Sequence, residues 1–149
     1  MSFCETLQFG RVEYDSASGL QFSEGLPAFE SEHQFVLIQQ PEQNPLVFLQ
    51  SVATPSLGFP ALPVHVVEPA YTPLLNDHDL SLLGFDSQPV LGTDALFLVL
   101  IALHKDDPTA NLLAPVVVNL STRAAAQCVD ADMRYPHRCS LLAKLEAAS

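Results

Sequence analysis

The side chains best suited to acid–base, nucleophilic or metal chemistry in this sequence are its His, Cys, Asp and Glu residues, and their spacing decides what they can do together. His33, His65, His78, His104 and His137 stand apart, with no H-x-H or H-x-x-x-H pair to hold a metal from one strand or helix face. Asp77-His78-Asp79 comes nearest to a ligand cluster. Consecutive residues at a helix start point in different directions, so the triplet reads as a solvated helix N-terminus, and no metal or other cofactor is expected. Acidic pairs occur at Asp106-Asp107, Glu30 with Glu32, and Asp130 with Asp132. General acid–base work needs a carboxyl group whose pKa burial or a neighbour has moved; the sequence shows no such group, and the pairs read as solvated charge. His104-Lys105-Asp106-Asp107 likewise reads as a charged turn.

Cys4, Cys128 and Cys139 are odd in number, far apart, and form no C-x-x-C pair. They read as reduced thiols of a cytosolic protein, with a Cys128–Cys139 disulfide as the alternative. Cys128 lies among small and apolar residues and reads as a buried, inert thiol; Cys139 follows His137-Arg138, whose positive charge would favour a reactive thiolate. With six Gly and none within five residues of another, G-x-G-x-x-G and the phosphate-binding G-x-x-x-x-G-K-[ST] are both absent. So is the G-x-S-x-G elbow, which leaves only a triad assembled from scattered residues as a hydrolase reading. The residues point to a binding domain rather than an enzyme.

Charge is the strongest compositional signal. The 149 residues carry 17 Asp and Glu against 6 Lys and Arg, a formal net charge of −11. Up to His104 there are twelve acidic residues and a single basic one, Arg11; from Lys105 onward there are five of each, so all the net charge lies in the first part. That balance opposes direct nucleic-acid binding and anionic membranes, and it steers the chain toward basic protein partners, more weakly as salt rises. The longest apolar run, residues 95–103, falls short of the roughly 20 residues of a membrane span, and the first ten residues lack the basic and apolar regions of a signal peptide. A cytoplasmic protein is expected.

The elements that must position these residues are mostly strands. Residues 3–15 alternate around Gly10 as two short strands or one bent strand; 20–22, 35–38 and 46–52 are further strands bounded by turn residues. Five prolines between 54 and 73 argue against a central strand there and for a proline-stiffened edge, with an extended docking surface as the alternative. Asn76 or Asp77 caps a short helix through Leu83 that Gly84 stops. Continuous apolarity over 95–103 and 112–120 predicts strands buried on both faces; 124–130 returns antiparallel after the turn at Asn119, and 141–148 forms a short tail helix. The expected fold is mostly β, a small antiparallel β-barrel-like single domain spanning 1–149, of about eight strands with one or two short helices and a tail beginning near residue 136.

Three segments carry a resemblance. Phe22-Ser23-Glu24-Gly25-Leu26-Pro27-Ala28-Phe29-Glu30, Phe48-Leu49-Gln50-Ser51 and Thr109-Ala110-Asn111-Leu112-Leu113-Ala114-Pro115-Val116-Val117-Val118-Asn119, followed by Thr122-Arg123-Ala124 and Gln127, resemble the FliW family of flagellar assembly factors. The resemblance implies a compact monomer without enzymatic activity. It implies binding to the RNA-binding regulator CsrA, antagonised away from its RNA site, and alternately to cytoplasmic flagellin in a partner switch. On it, Glu24, Phe29, Glu30, Glu32, Gln50, Phe59, Asn111, Asn119, Arg123 and Gln127 are candidate partner-binding residues, the acids for a basic regulator and Phe29, Phe59 and the proline-rich edge for an apolar groove. Beside this stands a plainer reading, in which Asn and Gln satisfy backbone groups and Arg123 pairs with Glu24 or Glu30. Ala28 stands where the family commonly has Gly, Thr54 where it has Asp, and residues 57–73 and 135–140 match poorly. The competing reading is a small-molecule-binding β-barrel or an unrecognised hydrolase.

Overall fold

A computed structural model of the chain describes residues 2–103 and 106–143. The first two strands, β1 (Ser2–Thr6) and β2 (Gly10–Tyr14), pair as a hairpin in which Cys4 faces Val12. Gly10 turns the chain at φ 67°, and Thr6 Oγ1 accepts from Phe9 N–H and donates to Gly10 C=O, each at 2.8 Å. A single antiparallel sheet follows, built from β3 (Leu20–Gln21), β4 (Gln34–Gln39), β5 (Val47–Ser51), β6 (Gly58–Pro63), β7 (Ala95–Ala102), β8 (Thr109–Ala110), β9 (Val116–Asn119), β10 (Ala125–Gln127) and β11 (Cys139–Ser140). Its order is β10-β9-β7-β6-β5-β4-β3, with β8 paired to β7 and β11 to β8. The sheet curls until its ends meet without completing a ladder: Gln21 bridges Ala124, and Gln21 N–H donates to Arg123 C=O at 2.9 Å. The expected mostly-β, barrel-like domain is thus present, incompletely closed and cut into eleven short strands.

Both faces of the sheet are covered, as alternating side chains require. From β9, Val116 and Val118 enter a core with Phe22, Phe35, Leu49 and Leu98, while Val117 enters another with Phe97, Val99, Leu83, Tyr71 and Leu75. The hairpin forms a third cluster by laying Cys4, Phe9 and Val12 against Val36, Ile38 and Phe48 of β4 and β5. Short α-helices at Val64–Val67 (α1) and Asp77–Leu83 (α2) connect the strands, with 3-10 turns at Ser16–Ser18 and Pro41–Gln43. α2 has its expected limits: Asn76 Oδ1 accepts from Asp79 N–H at 2.8 Å, and Gly84 ends it at φ 81°.

Three expectations are corrected. The proline-rich segment contributes β6, which lies in the interior of the sheet between β5 and β7 rather than at an edge. Proline is accommodated there by register. Leu57 C=O accepts from Ser51 N–H, so by alternation Pro60, opposite Phe48, sits at a non-hydrogen-bonded position toward β5. Pairing with β7 spans only Ala61 to Pro63, past the point where the missing Pro60 N–H would be needed. The strand expected over 112–120 starts only at Val116, because Asn111 Oδ1 captures Ala114 N–H at 3.0 Å and Pro115 follows. The tail expected from about residue 136 instead supplies a strand, β11, at 139–140; of the expected tail helix, 141–143 are helical and 144–148 lie outside the described residues.

Candidate functional site

The loop between β3 and β4 carries four of the ten candidate residues, Glu24, Phe29, Glu30 and Glu32. Leu26 is buried and anchors a tight turn in which Phe29 N–H donates to Leu26 C=O at 2.7 Å. The turn takes positive φ at Gly25 (67°) and at Ala28 (70°), a conformation that glycine adopts without strain and alanine does not. Gly25 is required for a second reason: a Cβ there would lie 2.6 Å from the Glu30 backbone. This geometry holds Glu24, Phe29 and Glu30 outward.

Glu24 and Glu30 line a cleft of ≈ 320 Å³ together with Asp79 and Leu82 of α2 and Ala126 and Gln127 of β10. Glu24 Oε1 meets His78 Nε2 at 3.3 Å on the surface, so the expected pairing with Arg123 is replaced by one with α2. Burial, foremost, raises the Asp79 carboxyl above the usual range, and burial beside Asp79 raises the Cys128 thiol, which is buried as expected. Gln127 is tied down, its Nε2 donating to Ala114 C=O at 2.9 Å. Asp79 lines this cleft and His78 pairs with Glu24, although the sequence places both only at a solvated helix start; the N-cap at Asn76 signals where α2 begins but not which of its residues face the cleft.

On the other flank of the loop, Phe29 packs edge-on to Phe59 with ring centroids 5.7 Å apart. Phe59 opens onto a groove of ≈ 280 Å³ that also meets Leu100, Ile101, Asn111, His137 and Arg138. The structure thus brings Glu24, Glu30 and Gln127 to one cleft and Phe59 and Asn111 to another groove, with Phe29 packed on Phe59.

Of the remaining candidates, Glu32, Gln50 and Asn119 turn their side chains to partners within the fold. Glu32 accepts from Ser51 Oγ and, at 2.9 Å, from Thr54 Oγ1, tying β4 to the turn before β6; its carboxylate is engaged within the chain. Gln50 is buried, and its Nε2 reaches the carbonyls of Ser51, Thr54 and Pro55 at 3.0, 3.3 and 3.3 Å. Asn119 is buried too: its Nδ2 donates to Leu83 C=O at 2.8 Å at the end of α2, while its Oδ1 accepts from Ser121 and Thr122 N–H at 2.9 and 3.3 Å. Arg123 takes φ 67° at the seam where β10 meets β3.

Asp130 is a further correction, since it is not solvated charge. Its side chain is fully buried and receives Arg134 Nη2 at 2.7 Å, Arg134 Nε at 3.1 Å and Arg134 N–H at 2.9 Å, which hold the carboxyl below its ordinary range. Arg134 then reaches Thr72 C=O at 2.9 Å, and Thr72 N–H donates to Tyr135 Oη at 3.3 Å, pinning the chain before α2. All three cysteines are free and buried, Cys139 included. Among the described residues, no group of three His, Cys, Asp or Glu side chains is placed to hold a metal ion, and no helix is long and apolar enough to cross a membrane.

The fold defines a small antiparallel β domain, not fully closed, whose interior is filled by side chains and whose clefts lie at its surface. The family model described as FliW protein matches residues 4–141, so the chain belongs to the FliW family. Its relatives include the flagellar assembly factor FliW of Bdellovibrio bacteriovorus, 36% identical over 144 residues, which span 95% of this chain and 79% of that protein. The protein of the same name from Geobacillus sp. is 35% identical over 131 residues, 87% of this chain and 88% of that one. A crystal structure of the flagellar assembly factor FliW superimposes with a TM-score of 0.81 at 33% identity, covering 94% of this chain and 96% of that chain.

Proposed function

We propose that the chain is a cytoplasmic flagellar assembly factor that works by docking proteins rather than by catalysis. In this reading a monomer binds a CsrA-type RNA-binding regulator and, alternately, flagellin. The observation that carries it is the cleft in which Glu24, Glu30 and Asp79 converge, the focus of a chain with net charge −11. A regulator that holds RNA presents basic surface, so an acidic partner is attracted by complementarity and, once docked, adds a field that repels phosphate. Antagonism of this indirect kind is a coupling free energy: RNA weakens regulator–FliW association by the same factor by which the association weakens RNA binding. Flagellin is assigned to the apolar groove, with the Phe29–Phe59 pair as its edge. The Phe29–Phe59 contact links the loop that carries Glu24 and Glu30 to the groove, a physical route by which the two partners can exclude each other.

The test is retention of the cognate regulator and of flagellin on immobilised chain at low salt, followed by competition. Retention of each, with flagellin displacing the regulator, supports the reading. Retention of neither overturns it.

A further inference from the structure

We propose that the groove beside Phe59 selects an amphipathic segment of a partner protein that carries a carboxylate next to its apolar side chains. Phe59, Leu100 and Ile101 are half-buried and form an apolar floor, while His137 and Arg138 stand exposed at its rim. Among the described residues the ion pairs join Arg11 to Glu5, His78 to Glu24 and Arg134 to Asp130, so Arg138 brings an unneutralised charge to the groove. Asp107, on the connection before β8, is engaged by Ser140 Oγ at 2.8 Å. Asn111 spends its Oδ1 on Ala114 N–H at 3.0 Å and keeps its amide N–H groups as donors at the groove.

The rim therefore has the opposite sign to the rest of the molecule. An all-apolar occupant would gain nothing from Arg138, and a basic one would be repelled locally. A segment with an acidic residue flanking its apolar face satisfies the floor and rim together, through burial against Phe59 and a charge-assisted hydrogen bond from the guanidinium. The inference rests on the groove assigned above and holds whichever protein supplies the segment.

The experiment uses fluorescence anisotropy at low salt with three short labelled peptides. They share Leu and Phe at helical spacing and differ only in the residues flanking that face, which are Glu, Gln or Lys. The Glu peptide is expected to bind about 3- to 10-fold more tightly than the Lys peptide, against the pull of the net charge. Arg138→Gln, at an exposed position, abolishes that preference and leaves the Gln peptide unchanged, whereas Phe59→Ala weakens all three. Tightest binding by the Lys peptide, or a Glu preference that survives Arg138→Gln, overturns the proposal. So does a dimer in sedimentation that either substitution dissolves, which would assign the groove to a second copy. Because the peptides are synthetic, their failure is distinguishable from failure to retain flagellin.

Discussion

Substituting Asp130 by Asn removes one charge from an ion pair that no single element of secondary structure supports. The Asp130 side chain is fully buried while that of Arg134 is 35% exposed, so the pair is buried on one side only. Breaking a fully buried pair costs roughly 3–5 kcal/mol; with Arg134 able to rehydrate and Asn still accepting one hydrogen bond, about 2–3 kcal/mol is expected here. At this chain length that corresponds to a Tm lower by about 4–12 °C. The pH dependence carries the sharper signature. A carboxyl group held below its ordinary range in the folded state stabilises the protein above the unfolded pKa near about 3.9, and that contribution disappears as pH falls through the lower folded value. Urea denaturation of both proteins between neutral pH and acid should therefore show a gap that is full at neutral pH and closes in acid. A gap below about 1 kcal/mol at neutral pH, or one that persists unchanged in acid, refutes the assignment of Asp130 as a buried anchor.

Other outcomes follow from the same contacts. Gly25→Ala places a Cβ 2.6 Å from the Glu30 backbone and should cost more than about 2 kcal/mol in chemical denaturation, whereas Ala28→Gly, at φ 70°, should be neutral or stabilising by up to about 1 kcal/mol. Asn119→Ala leaves Leu83 C=O and two turn N–H groups without their partner and should cost about 2–4 kcal/mol, with hydrogen exchange rising at the end of α2 and in the turn after β9. The thiols of Cys4 and Cys128, both buried and both pushed up, should react with a disulfide reagent only on unfolding; stoichiometric labelling of native protein would contradict their placement.

Local patterns were legible and tertiary contacts were not. The turn at Gly10 and the capped α2 follow from spacing because each is decided by neighbours within a few residues, and the continuous apolarity of β7 and β9 marks their two-sided burial without naming what covers them. Proline in β6 misled because its cost depends on which neighbour the missing N–H would have faced, a matter of register between distant strands. The same holds for the side chains of the site. Glu24, Glu30 and Glu32 are equivalent in sequence, yet Glu32 turns inward to Ser51 and Thr54 while the other two face the cleft. Asp130 and Asp132 looked like one solvated pair, and only the fold shows that Arg134 neutralises the first in the interior.

Docking of a basic regulator in the acidic cleft can be read from the association rate of the cognate CsrA-type protein measured against ionic strength. Glu24→Gln together with Glu30→Gln alters two exposed side chains and spares Glu32, whose bonds support the fold. The rate should fall about 3- to 10-fold at low salt, with a shallower salt dependence and convergence with the unaltered protein at high salt. An unchanged rate with an unchanged salt slope would contradict it.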